Sequence, residues 1–223
     1  MKHIATGLTI TLLLCLALGA TYADITYTGA LTLADGQLYK YGADWTAVSM
    51  SWVVSENTNL SWHYEYTFEV TEKNISHFII EVSPDFEAED LLNFVGPGTS
   101  LVGTFAPAPS NPDMPEDLTG IKFTPGATLS AMVSFDSWRV PVWGDFYGRC
   151  GRTDAETNRA YNLGFITPDT DPVVGAHDGT EGNHILRPDT EITDVPEPGT
   201  AALLVGLGIA GLVARRRRRR AKR

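Results

Sequence analysis

The chain has 223 residues, with 27 Asp and Glu against 17 Lys and Arg for a formal net charge of −10, and 43% of it is hydrophobic. This acidic balance excludes nucleic acid as a partner, and two cysteines are too few for a disulfide framework. The length allows one domain with a core of its own.

Lys2 and His3 make a weakly basic start, Ile4 to Leu18 are uncharged, and Thr21-Tyr22-Ala23 ends in a small residue. Residues 1–23 therefore read as a signal peptide forming an N-terminal signal helix, cleaved before Asp24. Leu14 is bulky where a lipoprotein signal before Cys15 requires a small residue, so Cys15 goes with the signal. That leaves Cys150 without a partner for a disulfide. Between Asp24 and Val195 lie 26 acidic and 8 basic residues, a net of −18. Such a surface keeps a protein soluble and repels anionic polymers.

The periodicity of this region is mostly two. His63 to Thr71 sets Tyr64, Tyr66, Phe68 and Val70 on one face and His63, Glu65, Thr67, Glu69 and Thr71 on the other, as a half-buried strand does. Val48, Met50, Trp52 and Val54 repeat the pattern, as do Leu129, Ala131, Val133 and Phe135. Phe78 to Val82 and Leu101 to Phe105 read as further strands. Short strands between Gly, Pro, Asn and Asp clusters predict a mostly β chain, an antiparallel β-sandwich or jelly-roll-like ectodomain over residues 24–166. One helix is expected from Ser83-Pro84 to about Asn93, with Asp85, Glu87, Glu89 and Asp90 in its first turns. Pro107 to Pro115 reads as a long surface loop, and residues 167–195 as a Pro, Gly and Asp-rich loop and linker.

Chemistry is harder to place. Cys150, between Arg149 and Arg152, is a loop or strand-end residue more simply than a nucleophile. His177 and His184 match no zinc spacing and read as solvated loop histidines. Asp169, Asp171 and Asp178 are Ca²⁺ candidates without the fuller spacing of an EF-hand loop, so no metal or other cofactor is expected beyond that. Asp136 and Asp145, beside Trp138 and Trp143, are the pair to weigh for glycoside hydrolysis. Trp138, Trp143 and Tyr147 are the side chains to weigh as a flat platform for an extracellular polysaccharide, against the alternative that they serve the core. No set of residues names a reaction, and the expectation is a structural or interaction role without catalysis.

The C-terminus is more specific. Pro196, Glu197 and Pro198 precede an apolar stretch from Thr200 to Ala214, then Arg215, Arg216, Arg217, Arg218, Arg219 and Arg220. As a transmembrane helix, residues 200–214 span roughly 22 Å, short for a bilayer core, and the arginines stop transfer on the cytoplasmic side and attract anionic lipid. Gly206-Leu-Gly208-Ile-Ala-Gly211 matches a dinucleotide-binding pattern, but only twelve residues follow it, with no acidic partner among them. Residues 196–223, as motif, apolar segment and basic end, resemble a PEP-CTERM sorting tail. Ile75 to Ser83, Asn111 to Pro115, Gly120 to Phe123, Val133 to Asp136 and Pro141 to Tyr147 resemble ectodomain segments of other PEP-CTERM proteins, to which no activity attaches. The resemblance implies an exported cell-surface protein whose tail is recognised by an exosortase-type membrane enzyme.

Overall fold

The computed structural model describes residues 25–151, 157–167 and 177–192. The expected signal helix at 1–23, the transmembrane helix at 200–214, the sorting residues and the arginines lie outside them. Among the described residues no helix is long and apolar enough to cross a membrane.

The chain is mostly β. Its elements are β1 (Thr26–Thr32), β2 (Leu38–Tyr41), β3 (Val48–Glu56), β4 (Trp62–Val70), β5 (Ile75–Glu81), a 3₁₀ turn (Ala88–Asp90), β6 (Leu92–Val95), β7 (Thr99–Phe105), β8 (Leu118–Thr124), β9 (Ser130–Ser137), β10 (Arg139–Gly144), β11 (Phe146–Cys150), β12 (Arg159–Asn162), β13 (His177–Asp178) and β14 (Ile185–Ile192). They form a first sheet in the order β13-β1-β3-β4-β9-β6, a second in the order β2-β12-β11-β5-β8-β7, and a β10-β14 pair. All pairings are antiparallel except β1 with β13.

The alternation read in β3, β4 and β9 is realised. Val48, Met50, Trp52 and Val54 are buried, as are Tyr64, Tyr66, Phe68, Ala131, Val133 and Phe135, while Leu129 is exposed just before β9. Both sheets contribute to one core. Phe68 of β4 lies 5.6 Å from Phe78 of β5 and 5.9 Å from Phe146 of β11, and Phe123 of β8 lies 6.4 Å from Phe135 of β9. Gly148 makes room for this packing, because a Cβ there would stand 2.6 Å from the Phe68 ring.

Two expectations are corrected, the helix and the linker. The predicted helix shrinks to the 3₁₀ turn at Ala88–Asp90, because the residues meant to start it are held elsewhere. Arg187 Nη1 donates to Ser83 Oγ at 2.9 Å, and Arg139 pairs with Asp85 and Asp90 at 2.8 and 2.9 Å. Asn93, the second residue of β6, takes φ +52°. The Pro107 to Pro115 segment is the long surface loop expected, between β7 and β8, and it docks on the second sheet through buried Asn111 and Met114. The segment read as linker supplies β13 and β14, and Ile185 and Leu186 enter the core. Its apolar residues are few, but they sit on a strand whose partner β10 carries buried Val142 and Trp143.

Candidate functional site

Strand register sets two rows across the face of the second sheet that points away from the core. One runs Tyr39, Tyr161, Tyr147, Ile79, Lys122 and Leu101; the other runs Tyr41, Arg159, Arg149 and His77. The period of two explains the placement, since Phe78, Ile80 and Phe146, between them in sequence, point into the core. The second row gathers two of the few arginines of an acidic domain. Tyr39 and Tyr161 stack at 4.6 Å, and the Arg159 guanidinium lies 3.9 Å from the centre of the Tyr41 ring.

Residues 106–117 strap down the middle of this face. Tyr147 Oη donates to the Pro112 carbonyl at 2.8 Å, and His77 Nε2–H donates to Asn111 Oδ1 at 3.0 Å. Arg149 Nη1 donates to the carbonyls of Pro109 and Ser110, and Arg159 pairs through Nε and Nη2 with Asp113 Oδ2. Ile79, Met114, Leu118, Tyr147 and Phe165 form a second small apolar cluster. Burial, reinforced by the charges of Lys122 and Arg149, lowers the His77 imidazole to about 3, against the opposing bond to Asn111. Burial likewise raises the Tyr147 hydroxyl, and burial followed by Arg149 lowers the Lys122 ammonium. The cationic row is thus satisfied by the chain's own carbonyls and the Asp113 carboxylate.

A second polar network joins β11 and β12 to the start of β14. His184 Nδ1 lies 3.0 Å from Asp145 Oδ1 and its Nε2 lies 2.9 Å from Thr167 Oγ1, while Asn162 Nδ2 donates to Asp145 Oδ1 at 2.5 Å. Hydroxyl, imidazole and carboxylate stand in the order of a nucleophile relay. However, Thr167 Oγ1 donates its single hydrogen to the Gly164 carbonyl at 2.7 Å, closing the turn it ends. The arrangement fastens a turn to β14.

These positions settle several expectations. Trp143 and Tyr147 are fully buried and present no face to a sugar ring, which corrects their reading as glycan contacts; Trp138 alone of the three is partly exposed. Asp136 and Asp145 belong to separate networks. Asp136 accepts from Asn93 Nδ2 at 2.7 Å and from Asn57 Nδ2 at 3.4 Å, and lies 2.7 Å from His63 Nδ1. Burial pushes its carboxyl up, but the bonds from Asn93, His63 and Asn57 outweigh it and hold the group below the usual carboxylate range. His184 is buried where a solvated histidine is expected, because its ring packs against Gly164. Cys150 is buried, with Asn158 N–H donating to its Sγ at 3.2 Å. Asp169 and Asp171 lie outside the described residues, and Asp178 sits on β13 opposite Thr28. Among the described residues no three His, Cys, Asp or Glu side chains gather as a metal site. The strapped face was missed in the sequence, although its signal was present: Tyr147 and Arg149, two apart, and Arg159 and Tyr161, two apart, mark one polar-aromatic face on each of two strands.

The chain leaves the described fold at Ile192, the end of β14. Residues 194–219 match the family model for the PEP-CTERM protein-sorting motif. No curated protein and no solved structure matches the chain.

Proposed function

On the premise that the chain carries a PEP-CTERM sorting signal, which marks an exported protein held transiently in the membrane before exosortase acts on it, we propose that it delivers a β-sandwich with a structural or interaction role to the cell surface or extracellular matrix. In this reading the basic end stays cytoplasmic, the apolar segment crosses the bilayer, and the processing enzyme cuts near Pro196, Glu197 and Pro198.

The observation that carries the proposal is the distance between fold and signal. One residue, Thr193, separates the end of β14 from the first matched residue. Three residues separate Ile192 from Pro196, so the four Cα–Cα steps between them reach at most about 14 Å in an extended chain. The enzyme therefore works close beside the end of β14 instead of on a long tether. A non-catalytic role is supported by the engagement of Asp136 and Asp145 in different hydrogen-bond networks and by the commitment of the Thr167 hydroxyl to its turn.

Mass spectrometry of the protein from its native host tests the reading. A C-terminus ending near Pro196 is expected. An intact arginine end in the mature protein would replace processing with plain anchorage and overturn the proposal.

A further inference from the structure

The two six-stranded sheets have four edges, of which three are blunted, and each strand of the β10-β14 pair carries a proline, Pro141 and Pro188. On the first sheet β13 has only two residues, and β6 has four, a register shift between Leu92 and Val95, and Asn93 at φ +52°. On the second sheet β2 has four residues and carries Lys40. Short length, irregularity and lysine are the usual means of preventing an edge from pairing with another chain.

The fourth edge has none of them. β7 runs seven residues, Thr-Ser-Leu-Val-Gly-Thr-Phe, without charge or proline, and pairs with β8 in unbroken register from Thr99 opposite Thr124 to Phe105 opposite Leu118. Among the described residues no backbone bond reaches its other side. Alternate N–H and C=O groups of β7 therefore face outward along the length of the strand. Leu101 in the middle of this strand is 61% exposed.

We propose that β7 is an assembly edge, and that its occupant is β7 of a second copy of this chain, paired antiparallel about a two-fold axis. Two arguments select this occupant. The domain is acidic, at −18 between Asp24 and Val195, so two copies repel over most of their surface; residues 91–112 are 22 consecutive positions without a charge, and β7 lies in their middle. The strand is also complementary to itself. Centring the pair on Val102 sets Leu101 opposite Gly103 of the other copy, where a side chain meets open space, since even a Cβ added to Gly103 is 4.0 Å from its nearest neighbour. Ser100 falls opposite Thr104 on the other face, where the Thr104 hydroxyl, 2.9 Å from Thr119 Oγ1, keeps capacity for a further hydroxyl hydrogen bond across the strands. The pairing joins two second sheets into one continuous sheet. Because each chain offers one such edge, it closes as a dimer and does not propagate as a fibre.

This inference rests on the interaction role proposed above only for its setting, and it fails separately from the sorting reading, because its test needs no processing. The full-length protein in detergent is sedimented across a concentration series, beside Leu101→Lys and the control Met132→Lys, which changes a residue 56% exposed on the first sheet. The apparent mass is expected to double with concentration for the wild type and the control, and to remain that of one chain for Leu101→Lys. Hydrogen exchange on the wild type provides a second measurement independent of any variant: protection of β7 amides rises with concentration while that of β2 amides does not. A wild type that is monomeric throughout, a Leu101→Lys protein that doubles as the wild type does, or β7 exchange indifferent to concentration overturns the proposal.

Discussion

Arg139 Nη1 donates to the carbonyl of Thr190 at 2.8 Å, so the last described strand before the sorting motif is held by the same guanidinium that pairs with Asp85 and Asp90. One buried cation thereby joins β10, the acidic segment before β6, and the exit of β14. The acids that look like the first turns of a helix serve instead as its counter-ions.

Replacing this guanidinium tests its part in holding β14. Arg139→Met removes one donor to Thr190 and two ion pairs; Asp85, whose side chain is 54% exposed, regains water, so the main loss lies at Thr190 and Asp90. A destabilisation of about 1–2 kcal/mol is expected in urea unfolding. Faster hydrogen exchange should concentrate at residues 189–192. Uniform exchange changes across both sheets would show that Arg139 acts on the whole core.

The strap makes stability depend on pH. His77 titrates at about 3 in the fold against an ordinary value of 6.5, so the unfolded chain takes up the proton first. The contribution is full above pH 6.5 and is lost as the pH falls from there toward 3. Between pH 7 and pH 5 the wild type should lose roughly 2 kcal/mol through this group. In His77→Gln the loss over the same interval should be much smaller, as measured by urea unfolding at each pH. Equal losses in both proteins would assign the effect to other groups.

Tryptophan accessibility gives a direct optical test of the buried aromatic surface. Trp45, Trp52, Trp62 and Trp143 are each 7% exposed or less, and Trp138 is partly exposed. Acrylamide should quench mainly Trp138, and Trp138→Phe should remove most of the quenchable emission. If Trp143→Phe removed it instead, the face of β10 would have to open in solution.

Close approach of strands is tested at Gly120. An added Cβ would stand 2.5 Å from the Ile80 carbonyl oxygen, a backbone atom of the paired strand β5 that cannot rotate away. Gly120→Ala should cost about 1–3 kcal/mol in thermal or urea unfolding. Gly126→Asn, at φ +85° with open space around it, should cost far less.

The two faces of β4 were legible because alternation of Tyr64, Tyr66 and Phe68 with Glu65, Thr67 and Glu69 reports directly which side is wet. On β11 the same logic was blind. Phe146 and Gly148 face the core and Tyr147 and Arg149 face away, yet all four are buried, because residues 106–117 fold back over the second face. Proline and glycine content similarly made residues 185–192 look like a spacer, although Pro188 sits opposite Pro141 in a pair of strands and costs that pair few ladder bonds.

Sequence by itself determined the sorting tail and the β character of the domain. Both are local: a motif followed by apolar and basic segments, and a period of two, are each contained within a short stretch of chain. Only the tertiary structure decided which tryptophans are hidden, that the proline-rich loop is a strap, that β14 closes the core, and that β7 is the unblunted edge. Each of these depends on what a distant segment places against a residue, as Asn111 does to His77 and Thr190 to Arg139, and such burial has no signature in the residue's own neighbourhood.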